Sequence, residues 1–201
     1  MNFVDLWGLE IKQRKKNYLM GDNNWKSNPT GYGIEHKKNK KGGMLQNTGC
    51  AVTEMSNVIS SVTGNDVTPK TINTNKKNFI KDTDLLNMQK VAEDNDLVFD
   101  YWTQKNQGNL GKKIVEIQNS DKEYYISAQV IYNESGGLHW VGVEDLKIEN
   151  SGKIYVKIAP SSINDTNKEA RQLKSWQKDD NGDMWVETND ITKIYTYEKN
   201  K

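Results

Sequence analysis

Cys50 is the single cysteine in 201 residues, and His139 is one of two histidines. A thiol and an imidazole together can supply a nucleophile and its general base, the chemistry of acyl transfer. The surroundings of Cys50 favour that use. Between Gln46 and Gly64, the apolar residues Ala51, Val52, Met55, Val58, Ile59 and Val62 recur at steps of one, three and four, with Thr53, Glu54, Ser56, Asn57 and Ser60 on the other side. That spacing predicts a half-buried helix. Thr48 or Gly49 can cap its start, and Gly64, Asn65 and Pro69 can end it. The helix therefore begins at or beside Cys50, where unpaired N–H groups and the positive end of the dipole favour the thiolate. A lone cysteine is commonly a small buried hydrophobe. Such a residue belongs on the apolar stripe, whereas Cys50 sits in the first turn behind a glycine.

His139 lies in Gly136-Gly-Leu-His139-Trp-Val-Gly-Val-Glu-Asp145, which follows Tyr124-Tyr-Ile-Ser-Ala-Gln-Val-Ile-Tyr132. Two β-rich runs around 133–137 predict a hairpin with the imidazole near the start of the returning strand. Thr48-Gly-Cys50-Ala-Val-Thr-Glu-Met55, then Gly64 and Thr68-Pro69, and later His139-Trp-Val-Gly-Val143, resemble the cysteine peptidases related to the bacteriocin leader-processing (double-glycine peptidase) domains, a branch of the papain-like superfamily. Tyr18-Leu-Met-Gly-Asp22-Asn-Asn-Trp25 is similar to that branch's Tyr-x-Gln-Gly-Asp-x-x-Trp motif, so the resemblance spans residues 18 to 160.

The resemblance implies that Cys50 attacks a peptide carbonyl, that His139 acts first as base and then as acid toward the leaving amine, and that water releases the acyl-enzyme. It also implies an Asp or Asn, often followed by proline, that orients the histidine. Pro160 matches, but Ala159 stands in the acid's place. Asp165 and Asn164, ranked above Ser161, are the downstream candidates, although such clusters after proline commonly form turns. The family completes its oxyanion hole with the glutamine of the N-terminal motif, where this chain has Met20. A thioether donates no hydrogen bond. Gln46, four residues before Cys50, is the substitute donor expected to join the Cys50 N–H, with Asn23 and Asn24 behind it. Separately, Asn2-Phe-Val-Asp-Leu-Trp-Gly8-Leu9 looks like the close of an RHS or YD-repeat core, after which such proteins carry a variable effector.

The elements that must position these groups read as α+β. Beyond the Cys50 helix, short helices are expected in 68–79 and 83–93, an edge strand at 98–102, and a helix over 109–118 introduced by Asn109. Strands follow at 123–132, 138–147, 153–159, 184–188 and 193–198. Helices first and antiparallel strands after match the papain-like layout of a helical layer, with the cysteine at a helix N-terminus, packed on a C-terminal sheet. One such domain is expected over 18–201, with 1–17 as an N-terminal arm. Lysine runs at 12–16 and 37–41, with His36 beside the second, read as solvated loop.

A net charge of +1 argues against bulk-charge binding of nucleic acid, and one cysteine with two histidines argues against a zinc cluster. No cofactor and no metal are expected. Met1 to Glu10 lacks a basic n-region and an apolar h-region, and no run of 18 apolar residues occurs. These features suggest synthesis in the cytoplasm and action after release or delivery. Three functions fit: a bacteriolytic peptidase or amidase on peptidoglycan, as in phage endolysins; an RHS-type toxin cutting a protein target; and a binding module whose site has decayed. If Gln46 supplies the oxyanion donor, Gln46→Ala lowers kcat by about 10²- to 10³-fold with Cys50 alkylation unchanged, while Met20→Gln is neutral or activating. A silent Gln46→Ala beside a strongly activating Met20→Gln would instead mean an impaired hole.

Overall fold

The computed structural model describes residues 18–32, 44–132, 136–159 and 175–200. Among them the chain is α+β, with helices early and an antiparallel sheet late, and it divides into two compact units. One holds the described residues of 18–99 with 199 and 200; the other holds those of 100–159 and 175–198.

The helical unit is built on α1 (Leu45–Thr48), α2 (Cys50–Thr63), α3 (Pro69–Thr74) and α4 (Met88–Glu93). Gly49 caps α2, and Gly64 ends it in the left-handed region, φ 79°, with its N–H on the Ser60 carbonyl at 3.1 Å. Val52, Met55, Val58 and Ile59 are buried, as are Ile72, Met88, Val91 and Ala92 of α3 and α4. The polar side of α2 departs from expectation. Thr53, Glu54, Ser56, Asn57, Ser60 and Ser61 are buried as well, so the helix is enclosed rather than half exposed. Local bonds make that tolerable: Ser56 donates to the Val52 carbonyl at 2.9 Å, and Ser60 exchanges two bonds with the backbone of Val67 at 3.1 and 3.0 Å.

The short helix expected within 68–79 is α3, which Pro69 opens behind a Thr68 hydroxyl that accepts from the Thr71 N–H. The helix expected from Thr83 starts only at Met88. Asn87 caps it through the Lys90 N–H at 3.1 Å, and the preceding residues form a turn in which the Ile80 N–H bonds the Leu85 carbonyl at 2.9 Å. Asp82, at φ 60°, allows that reversal, and the turn leaves Leu85 64% exposed.

β1 (Leu97–Thr103) carries the chain into the sheet unit, followed by α5 (Gln104–Gln107) and α6 (Leu110–Gln118). Then come β2 (Tyr125–Ile131), β3 (Leu138–Ile148), β4 (Ile154–Ala159), β5 (Trp176–Lys178), β6 (Met184–Glu187) and β7 (Ile191–Lys199). The strand order is β1-β7-β2-β3-β4-β6-β5, which puts β1 at an edge. α6 begins as read from Asn109, whose side chain accepts from the Gly111 and Lys112 N–H groups. Leu110, Ile114 and Ile117 then pack on Ile126, Ala128, Val130, Val141, Val143 and Val156 of the sheet. Gly111 permits that closeness, since a Cβ there would stand 2.5 Å from the Thr188 hydroxyl and 3.1 Å from Ile154 Cδ1. β5 was not anticipated, because three residues are too few to display a period.

Candidate active site

Cys50 is the first residue of α2, and it is half-buried. The preceding glycine is required by space. A Cβ on Gly49 would lie 2.5 Å from the Leu45 carbonyl oxygen and 2.7 Å from the Leu45 side chain, because α1 folds directly back into α2. The Gly49 N–H reaches the Leu45 carbonyl at 3.0 Å, and the Thr53 N–H reaches the Gly49 carbonyl at 2.8 Å. Gln46 therefore lies on a helical turn, not on the loop expected to feed the helix.

The motif Tyr18–Trp25 folds into a compact turn, and its residues show why that spacing holds. The Asp22 carboxylate accepts from the Asn24 N–H at 2.8 Å, and the Asp22 carbonyl accepts from Lys26 at 2.8 Å. Trp25 is buried, donates its indole N–H to the Leu19 carbonyl at 2.9 Å, and meets Tyr18 edge-on with 5.7 Å between ring centroids. The Tyr18 hydroxyl donates to Asp66; burial first, and then that carboxylate, push the Tyr18 pKa up. Met20 is 6% exposed, so it occupies the motif's glutamine position as a packed side chain.

Two asparagines that sequence reasoning missed hold this segment in place. Asn57 of α2 accepts from the Tyr18 N–H at 2.6 Å and donates to the Tyr18 carbonyl at 3.2 Å. Asn73 of α3 accepts from the Gly31 N–H and donates to the Pro29 carbonyl, both at 2.9 Å. Further ties come from Thr48, whose hydroxyl donates to that of Thr30 at 2.9 Å, and from the Leu45 N–H on the Asn28 carbonyl at 2.9 Å.

In the sheet unit, His139 is the second residue of β3, and the Tyr132 N–H closes the hairpin on the Gly137 carbonyl at 2.7 Å. The register pairs His139 with Val130, Val141 with Ala128 and Val143 with Ile126. His139 thus shares the face on which those residues form the core, and it is 7% exposed. Its ring lies 5.2 Å from that of Tyr132, tilted by 46°, and Tyr132 in turn meets Trp176 edge-on at 6.2 Å. Trp176 is anchored through its indole N–H to the Ile131 carbonyl at 3.3 Å. The opposite face carries Trp140, stacked on Tyr195 at 4.6 Å, with Tyr101 edge-on to Tyr195 at 6.0 Å. Ala159 pairs with Gly142, so it lies on the Trp140 face. An acid at that position would not share the face of His139.

Cys50 belongs to the helical unit and His139 to the sheet unit. Asp165, Asn164, Ser161, Pro160, His36 and the 1–17 arm lie outside the described residues, as does the side chain of Gln46. Among the described residues no group of three or more His, Cys, Asp or Glu could hold a metal ion, and no helix is long and apolar enough to cross a membrane. No protein-family model matches the chain, and no curated protein matches it.

One buried group one turn beyond Cys50 has no evident structural use. The Thr53 hydroxyl is fully buried with no hydrogen-bond partner. An unpaired buried hydroxyl costs about 1–3 kcal/mol, so Thr53→Val is expected to leave thermal stability unchanged or to raise it by about 1 kcal/mol. Destabilisation by more than that, in a melting experiment, would mean that the hydroxyl is paired.

Proposed function

We propose that the chain is a papain-like cysteine peptidase or amidase that cuts peptide bonds in peptidoglycan, acting as a bacteriolytic enzyme of phage or bacterial origin. The observation that carries this reading is the placement of the only cysteine, half-buried, as the first residue of a 14-residue helix behind a glycine that cannot be enlarged. The first-turn N–H groups and the helix dipole stabilise negative charge there, both on a thiolate and on a carbonyl oxygen bonded to the Cys50 N–H. His139 takes the thiol proton, Cys50 Sγ bonds the carbonyl carbon, and the imidazolium returns the proton to the departing amine. Water, deprotonated by the same imidazole, then cleaves the thioester. Asp165 and Asn164 remain the proposed orienting groups for His139, and Gln46 the proposed second oxyanion donor.

Met20 motivates a second reading. A buried thioether in the glutamine's place suits a binding module that has kept the fold without the catalysis. An RHS-type toxin would share the peptidase chemistry but act on a protein.

Purified protein incubated with peptidoglycan sacculi, beside a panel of protein substrates, separates the three. The peptidase reading expects new amine termini in the sacculi and none with Cys50→Ala. Turnover by Cys50→Ala would remove the nucleophile assignment, cleavage confined to the proteins would favour the toxin, and no cleavage anywhere would favour the module. His139→Ala should also abolish turnover. An exposed catalytic imidazole would be dispensable for folding, but His139 is buried on the core face, so its loss is expected to cost about 1–3 kcal/mol. Activity in a folded His139→Ala protein would exclude it as the base.

A further inference from the structure

We propose that residues 18–31 form a strap across the cysteine-bearing face of α2, and that Asn57 is the positioning residue that holds the strap and thereby sets access to the Cys50 thiol. Cys50, Glu54, Asn57 and Ser61 follow one another at steps of four, three and four, with Thr53 three residues after Cys50 and four before Asn57, which places them on one helical face. Asn57 stands about 10 Å along the axis from Cys50. The strap is tied at Tyr18 to Asn57, and at Thr30 to Thr48, two residues before Cys50. Its two ties therefore bracket Cys50 along the chain, Thr48 two residues before it and Asn57 seven residues after it. Thr53 and Glu54, between those levels, are fully buried, whereas Cys50 at the end of the face stays half open.

Asn57 suits the task because a carboxamide both accepts and donates. It meets the Tyr18 N–H and carbonyl as a neighbouring strand would, which gives irregular backbone two partners it otherwise lacks. The link to catalysis rests on the peptidase reading; the link to thiol access does not. On the peptidase reading the strap is one wall of the substrate cleft, so loosening it should act mainly on KM.

The test compares wild type with Asn57→Ala and Asn57→Asp in three measurements. These are amide hydrogen exchange across residues 18–25, the ratio of Cys50 labelling rates by pyrene maleimide and by iodoacetamide, and kcat and KM on sacculi. Because Asn57→Ala removes both bonds to Tyr18, it should speed exchange in 18–25 by about tenfold or more and raise the bulky-to-small labelling ratio several-fold, with KM raised more than kcat is lowered. Asn57→Asp keeps the acceptor for the Tyr18 N–H but loses the donor, and should fall between. If Asn57→Ala does not fold, Thr48→Val frees the strap at Thr30 and is read in the same way. Faster exchange with an unchanged labelling ratio would overturn the proposal and leave Asn57 as an anchor only, and an unchanged exchange rate would overturn it outright. Changed labelling in a protein that hydrolyses nothing would uphold the strap and dismiss the peptidase reading.

Discussion

A helix buried on its polar side as well as its apolar side is stable only if most of its enclosed polar groups find partners, and on α2 the Thr53 hydroxyl is an exception. That requirement shapes the helical unit. α2 meets it by using its buried side chains to complete the backbone of segments that have no secondary structure of their own. Asn57 serves Tyr18, Ser60 serves Val67, and on the neighbouring helix Asn73 serves Pro29 and Gly31. The dependence is mutual. Removing a carboxamide strands two backbone groups, each costing about 1–3 kcal/mol when buried unpaired, while losing the segment would strand the carboxamide. The cysteine sits at the open end of this arrangement, where Gly49 lets α1 turn into α2 without a gap.

The sheet unit obeys a simpler rule. Because side chains alternate, the register that buries Val141 and Val143 against α6 also commits His139 to that face and Trp140 to the other. The imidazole is therefore part of a packed layer with Tyr132 and Trp176 at its rim. A ring held this way has its direction fixed by packing, as the proposed role of a general base would require. The same alternation sends Ala159 to the opposite face, so its lack of a carboxylate costs His139 nothing.

What was legible in the chain was local. Gly64 stops α2 because only its left-handed backbone completes the Ser60 carbonyl, Asn109 starts α6 by capping it, and the strands flanking 133–137 pair as their alternation suggests. The strap was not legible. Asn57 on the polar side of an amphipathic period reads as a solvated residue, and its partner lies 39 residues away. Asn73 is 44 residues from the carbonyl it serves. The apolar pattern from Leu85 to Val91 suggested a helix from Thr83, but Asn87 offered a stronger start and Asp82 a reversal before it. The burial of His139 depends on rings contributed by β5 and by the end of β2, which no window around His139 contains.

The central claim is that the start of α2 makes Cys50 a nucleophile, and the rate of its alkylation by iodoacetamide at pH 6 tests that most directly. An unstructured peptide thiol, with a pKa of about 8.5, is almost wholly protonated there and reacts slowly. The account predicts that Cys50 in the folded protein reacts at least about tenfold faster than such a peptide, and that the advantage disappears on unfolding in denaturant. A folded protein whose Cys50 reacts no faster than the peptide would contradict it, and would return the cysteine to the role of a small residue packed at a helix end.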